Sequence, residues 1–259
     1  REALLYHYPA MEDLAQMMAS YDARLYEKVK NNKDFLMISL GLGDVEASYN
    51  VELSHDEIQV DPLVLEAQKN VVEPYKVLKD APVEIALNEQ TLGLSGHYEA
   101  LKTAVSTMLL QIAAFHSYRD VEFIALVPEE SYSEDWKHWR WLPHFEMNSL
   151  NLRGIIHNAQ TRDMVLTSFY QLLNTRRQAV KEAKNEKVSF SPHYVVTILE
   201  DSWLTGHGLN EFLAEDMTQY GVTVIWGKET PAMLPETVTT LIDYENTEAA
   251  TVINENEVF

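Results

Sequence analysis

Gly96, Lys102 and Thr103 stand at the spacing of a phosphate-binding loop. In a working loop of the form G-x-x-x-x-G-K-[ST], the second glycine lets backbone N–H groups close around the phosphates. Here that place is taken by Leu101, which brings a Cβ and an isobutyl group. Glu99 adds a negative charge where the phosphates would sit. The segment follows an apolar run, residues 91–95, and opens an amphipathic helix, the setting such a loop requires. Two readings stand side by side. One is a phosphate loop that keeps its architecture without its chemistry; the other is an ordinary helix start with Lys102 as a solvated first-turn side chain.

Two further places bear on the same chemistry. An apolar strand, residues 195–199, ends in Glu200 and Asp201, which is how a magnesium-holding carboxylate and a water-activating glutamate are presented. The usual order is Asp then Glu. Adjacent side chains of a strand point to opposite faces, so the reversed order swaps the two roles in space. The alternative is that the two acids simply cap the strand end. A second apolar strand, residues 222–226, runs into Gly227-Lys228-Glu229. A polar residue there often senses the terminal phosphate, and Glu229 would repel it. All three places depart from nucleotide chemistry in the same direction.

Trp136, Trp139 and Trp141, with Arg140 and His144 among them, form an aromatic and basic knot. Trp and Arg are favoured anchors of protein interfaces, so the knot reads as a partner contact; the competing reading is a set of core plugs holding a helix to the sheet. Arg176, Arg177, Lys181, Lys184 and Lys187 lie on one basic helix, interleaved with Glu182 and Glu186 as on a solvated face. The nine histidines have no metal-ligand spacing, and neither a Ser-His-Asp signature nor a nucleophile elbow is present.

These residues need elements to carry them. Residues 1–33 read as helical, interrupted at Pro9. Residues 35–40 read as a strand, Gly41-Leu42-Gly43 as a turn, residues 45–53 as a partner strand, and residues 63–72 as a helix ended by Pro74. From Pro82 the pattern changes to short strands at 83–87 and 92–94, separated by the polar turn 88–90. A helix of about 16 residues follows, with Leu101, Val105, Met108, Leu109 and Ile112 on one face. Strands at 121–127, 155–156, 194–199 and 222–226 follow, with a long helix from Met164 to near Ala183, and a final strand pair at 238–242 and 249–253. Strands alternating with helices predict an α/β domain with a mostly parallel sheet covered on both faces. The chain divides into a helical arm with a small α+β extension, residues 1–80, and the α/β domain, residues 81–259.

Composition sets the outer limits. The 259 residues are 46% hydrophobic, enough for one large core or two modest ones. There is no apolar stretch of about 18 residues to span a membrane, no cysteine for a disulfide or a thiolate-held metal, and no signal-peptide pattern after Arg1. The chain reads as a soluble piece of something longer. Forty acidic against twenty basic residues give a formal charge of −20, which repels phosphate backbones and excludes a role in tracking nucleic acid.

The order of these parts resembles a known family. Asp34-Phe35-Leu36-Met37-Ile38-Ser39-Leu40-Gly41-Leu42-Gly43, Ala81-Pro82-Val83-Glu84-Ile85-Ala86-Leu87, Leu92-Gly93-Leu94-Ser95-Gly96, Gln111-Ile112-Ala113-Ala114-Phe115-His116-Ser117 and Trp139-Arg140-Trp141-Leu142-Pro143-His144 carry the likeness. They resemble the membrane-proximal, degenerate ATPase-like domain of the FtsK/SpoIIIE-type motors of type VII secretion systems, the EssC/YukB family. The resemblance implies a P-loop NTPase-like fold of the FtsK/RecA type. Family members carry forkhead-associated domains, two transmembrane helices, this domain and then cytosolic ATPase domains, and they export small helical proteins. Active modules match Lys102 and Thr103, place an Asp-Glu pair near Glu200 and Asp201, and set a sensor glutamine near Glu229. The departures at Leu101, Glu200, Asp201 and Glu229 imply a pocket without turnover. The expectation is therefore a non-hydrolysing, cytoplasmic domain of a bacterial cell-membrane protein. It would bind neither cofactor nor metal itself, ATP and magnesium belonging to downstream domains. Its partners would be other domains and subunits of the secretion machine, hexameric at full length, with no nucleic acid.

Overall fold

The structure is a computed structural model that describes residues 1–46, 66, 76–184, 186–254 and 257–258. The chain forms two compact units: Arg1–Gln16 with Ile38–Ile85, and Met17–Met37 with Ala86–Phe259.

In the smaller unit, helix α1 (Glu2–His7) and most of α2 (Met11–Ser20) flank Pro9, where the fixed ring and missing N–H end one helix before the next begins. The helical reading does not extend past Ser20, because residues 21–36 are turns with Tyr21, Tyr26, Asn31 and Leu36 at positive φ. Strand β1 (Met37–Glu46) pairs with β2 (Val77–Ala86). Gly41-Leu42-Gly43, expected as a turn, lies inside β1 instead. Strand β1 runs through it, with Gly41 at a positive φ of +143°, and a Cβ at Gly43 would meet Val83 Cγ2 at 2.9 Å. The expected strand at 45–53 beyond Glu46, the helix at 63–72 apart from residue 66, and the break at Pro74 lie outside the described residues.

The larger unit is built on an eight-stranded sheet. Its strands are β3 (Leu92–Ser95), β4 (Val121–Leu126), β7 (Ile155–Ile156), β8 (His193–Ile198), β9 (Val222–Lys228), β10 (Thr240–Tyr244), β11 (Ala250–Asn254) and β12 (Glu257–Val258). Glu146–Met147 and Leu152–Arg153, β5 and β6, pair only with each other. The spatial order is β12-β11-β10-β3-β9-β8-β4-β7. Every pairing from β10 to β7 is parallel, and the β10–β11 and β11–β12 pairings are antiparallel. Strands β3, β4 and β8 are buried along their whole length, as parallel strands covered on both faces must be.

Helix α3 (Tyr98–Phe115) and helix α4 (Ala159–Glu182) supply the covers. Val165, Leu166, Phe169 and Leu173 of α4 join Ile124, Leu126, Tyr194, Val196, Ile198, Val224 and Trp226 in one cluster. Side chains alternate along a strand, so Gly227 points away from Trp226, and a Cβ there would lie 3.4 Å from Leu101 Cδ1. Helix α3 therefore covers the opposite face. Helix α4 begins five residues earlier than the apolar spacing suggested. Asn158 accepts a bond from the Thr161 N–H at 2.8 Å, and the Thr161 hydroxyl receives the Asn158 N–H at 3.1 Å; this reciprocal cap satisfies donors that would otherwise be orphaned.

Buried polar groups lash residues 26–36 to this core. The N–H groups of Tyr26 and Lys28 bond the Ala114 and Phe115 carbonyls at the end of α3, each at 2.9 Å. His116 Nε2 accepts the Leu36 N–H at 2.9 Å while Nδ1 bonds the Ile112 carbonyl at 3.0 Å, which fixes a neutral ring. Burial lowers the pKa values of His116 and His193 to about 3, and that of His144 to about 4. Arg176 of α4 is buried, and bonds the Tyr220 and Pro192 carbonyls at 2.7 Å each. No helix among the described residues is long and apolar enough to cross a membrane.

Candidate functional site

Open α/β sheets hold ligands beyond the carboxyl ends of their strands, where strand order changes direction. Strand β3 sits between β9 and β10, while the chain after α3 returns three places away at β4. The carboxyl ends of β3, β8 and β9 therefore gather the sequence-derived residues Gly96, Glu200, Asp201 and Glu229 at one edge.

The loop itself is short. Strand β3 ends at Ser95 and α3 starts at Tyr98, leaving Gly96 and His97 between them. Gly96 has φ +145°, and a Cβ on it would lie 2.9 Å from the Tyr244 carbonyl oxygen; only glycine fits this bend without strain. The Gly96 N–H bonds the Lys228 carbonyl at 3.0 Å, and the Leu101 N–H bonds the His97 carbonyl at 3.0 Å. Residue 101 is thus already inside the helical ladder, with its N–H committed. The leucine side chain is 5% exposed and lies toward the sheet face carrying Gly227. Thr103 is exposed, and its hydroxyl bonds back to the Glu99 carbonyl at 2.8 Å.

Lys102 lies in the second turn of α3 and is held from two sides. Its Nζ is 2.8 Å from Glu99 Oε2 and 3.0 Å from Asp135 Oδ1. The hydrogen bond to Glu99 is the largest influence raising its pKa, with burial opposing and Asp135 adding. Asp135 also accepts the Tyr98 hydroxyl at 3.0 Å, and that hydroxyl accepts the Trp136 indole N–H at 3.0 Å. An ammonium, a carboxylate, a phenol and an indole are thereby joined in one chain of bonds. Burial raises the Tyr98 pKa, which keeps the phenol a donor. Sequence reasoning did not find Asp135 as the partner of Lys102. The two are 33 residues apart, and only the fold brings the turn after β4 beside the start of α3.

The acidic pair and Glu229 are placed differently from expectation. Strand β8 ends at Ile198, so Glu200 and Asp201 do not alternate across a sheet. Glu200 instead caps the 3-10 turn Asp201–Leu204, accepting the Ser202 N–H at 3.1 Å. Asp201 pairs with Lys228 at 2.5 Å. A turn cap holds Glu200 and an ion pair holds Asp201, so strand geometry governs neither carboxylate. Glu229 is exposed, one residue past β9. Among the described residues no cluster of three or more His, Cys, Asp or Glu side chains is arranged to hold a metal ion.

The tryptophan knot divides in two. Trp136 and Trp139 are buried, with their rings 6.3 Å apart, and Trp139 meets Phe145 at 6.0 Å. His144 is also buried; its Nε2 bonds the His116 carbonyl at 2.7 Å and its ring stacks on Phe123 at 5.2 Å. These three plug the core between the turn and the sheet. Arg140 is exposed and Trp141 is 75% exposed, with the guanidinium carbon 5.1 Å from the Trp141 ring centre.

No protein-family profile matches the chain. It is 34% identical over 252 residues to the ESX secretion system protein EccC of Geobacillus thermodenitrificans, an alignment covering 95% of this chain and 16% of that protein. It is 33% identical over 262 residues to the type VII secretion system protein EssC of Staphylococcus aureus, covering 100% of this chain and 18% of that one. The chain thus spans under a fifth of these relatives. Among solved structures, EssC (ATPases 2 and 3) from Geobacillus thermodenitrificans superposes with a TM-score of 0.56 over 90% of this chain and 45% of that one, at 11% identity. That likeness establishes a shared α/β fold with ATPase domains. Sequence identity along essentially its whole length shows that the chain belongs to the EssC/EccC family of type VII secretion proteins.

Proposed function

We propose that this chain is a non-hydrolysing ATPase-fold domain of a type VII secretion motor, joining the membrane-proximal part of the protein to the ATPase domains that follow. Its partners are other domains and subunits of the secretion machine, and its place is on the cytoplasmic side of the bacterial cell membrane. A triphosphate needs a loop whose successive backbone N–H groups turn inward and whose lysine is free to reach the phosphates. The observation that carries the reading is that both are spent here. The helix has already begun at Tyr98, Leu101 fills the glycine's place with a buried side chain, and Lys102 neutralises Glu99 and Asp135. A phosphate would have to displace two carboxylates from that ammonium in a chain of formal charge −20. Without a turning-over pocket, the fold serves as a rigid transmission between anchor and motor.

The test is thermal denaturation with and without magnesium-ATP. A ligand at about 100 times its dissociation constant stabilises by about 2.7 kcal/mol, several degrees for a domain of this size. The reading expects no shift and no phosphate release. Turnover that disappears in Lys102→Ala would instead make this an active ATP-driven translocase domain.

A further inference from the structure

The last turns of α4 form one wall of an open groove of about 300 Å³, completed by residues that lead into β9. Arg177, Val180 and Lys181 stand at spacings of three and four, which places them on one face of the helix. Glu215, Gln219 and Tyr220 line the groove from the segment between the helix Leu209–Leu213 and β9. Its volume is at the lower end of the range for small-ligand sites. Val180 packs against the core cluster and Tyr220 is buried, which fixes the floor.

The polar groups of this groove already hold one carboxylate. The Arg177 guanidinium carbon is 3.6 Å from the Phe212 ring centre, and Nη2 donates to Glu215 Oε1 at 2.8 Å. Tyr220 donates its hydroxyl to Glu215 Oε2, and burial raises the phenol's pKa, which keeps it a donor. Both oxygens of Glu215 are thereby engaged. Arg177 Nε, by contrast, is buried with no hydrogen-bond partner among the described residues. Lys181 is exposed, with no carboxylate within ion-pair distance among the described residues. Asp216 accepts from the Thr218 N–H and hydroxyl, and Glu182 accepts from Gln178, so neither acid is drawn to Lys181. Two cations thus meet one carboxylate, in a chain of formal charge −20. A lysine near the carboxyl end of a helix suits its dipole, but that does not require an arginine donor to go unpaired beside it.

We propose that this groove binds a glutamate or aspartate side chain presented by an acidic segment of a partner protein. The incoming carboxylate enters between Arg177 and Lys181, and its methylenes rest on Val180. One further carboxylate brings the groove to neutrality, whereas a phosphate dianion would overshoot it on an already acidic body. Guanidinium and carboxylate match in shape, as the bond to Glu215 illustrates. Gln219 Nε2 donates to the Asp216 carbonyl at 2.9 Å, which leaves its amide oxygen to accept a backbone N–H of the segment. The inference does not depend on whether nucleotide is bound or hydrolysed.

Fluorescence anisotropy with a labelled, end-capped pentaglutamate peptide and the 259-residue chain tests it. The wild type binds the peptide, and more weakly as salt is raised. Capped pentaglutamine binds about tenfold more weakly, and so does pentaglutamate to Lys181→Ala, the size of one charge-assisted hydrogen bond. Glu215→Gln removes the competing carboxylate and tightens binding several-fold. Glu245→Gln, the same charge change at an exposed site elsewhere, alters it by less than about twofold. Lys181→Ala keeps the circular dichroism and melting temperature of the wild type, because the side chain is exposed. Absence of pentaglutamate binding overturns the proposal, as does equal binding of pentaglutamine, indifference to Lys181→Ala, or equal effects of the two Glu→Gln variants. Capture of phosphatidylglycerol vesicles through Lys181 without peptide binding would assign the surface to a membrane. Self-association lost in Lys181→Ala would assign it to a second copy; either result refutes the proposal.

Discussion

Replacing Leu101 by glycine writes the missing loop residue back into the sequence, and so separates a side-chain block from a backbone one. Leu101 is 5% exposed and within the α3 ladder. Removing a buried leucine side chain costs about 2–5 kcal/mol, and glycine in a helix costs about 1 kcal/mol beyond alanine. Together these give about 3–6 kcal/mol, a lowering of the melting temperature on the order of 10–20 °C at about 2–4 °C per kcal/mol. The variant is compared with Leu101→Ala, which carries the cavity without the glycine. Both are titrated with magnesium-ATP at low temperature, where the weakened fold persists, and binding is read as a rise in melting temperature. We expect none in either variant. The N–H at position 101 is taken by the His97 carbonyl, and Lys102 remains held by Glu99 and Asp135. If Leu101→Gly alone gained several degrees with ATP, the two-residue loop would not be the obstacle, and the structural reasoning would fail.

Acid should unfold this protein early. His116, His144 and His193 are neutral in the fold with pKa values of about 3, 4 and 3, against about 6.5 in the unfolded chain. Below pH 6.5 the unfolded state binds the additional protons, so stability falls as pH drops and levels off only near the folded values. Each histidine contributes a slope of up to about 1.4 kcal/mol per pH unit. Glu122, whose carboxyl burial pushes upward, acts in the opposite direction as a single group. Urea midpoints at pH 7.5, 6 and 5 should decrease steadily; a flat profile would contradict the burial of these rings. Arg176→Met leaves the Tyr220 and Pro192 carbonyls buried without their guanidinium partner and should cost roughly 3–5 kcal/mol. Arg176→Lys should recover little of it, since an ammonium lacks the planar fork that reaches both; equilibrium denaturation measures each. Gly96→Ala forces a Cβ to within 2.9 Å of the Tyr244 carbonyl oxygen at φ +145°. It should lose about 1–3 kcal/mol from the backbone conformation alone, and a neutral result in the same assay would mean the loop is not held as described.

Several features could be read from the chain before any coordinates. Largely apolar runs at 121–127 and 194–199 imply buried strands, and the strands found there, β4 (Val121–Leu126) and β8 (His193–Ile198), are fully buried. The spacing of Leu101, Val105, Met108, Leu109 and Ile112 gave the buried face of α3, and Pro9 marked the division between α1 and α2. These rest on local physics: side-chain periodicity and a fixed proline ring act within a few residues. Other features required the assembled molecule. Asp135 reaches Lys102, Arg176 bonds carbonyls 16 and 44 residues away, and histidines scattered along the chain become core groups. Three tryptophans within six positions have two fates, because Trp136 and Trp139 turn inward while Trp141 turns out. Glu200 and Asp201 lie past the end of β8, where Glu200 caps a turn and Asp201 pairs with Lys228, a residue 27 positions on. The sequence by itself determined the elements and the absence of a glycine at position 101. Only the tertiary structure decided which charges meet, because a side chain's partner across a sheet depends on strand order, and strand order is settled by contacts far apart in the chain.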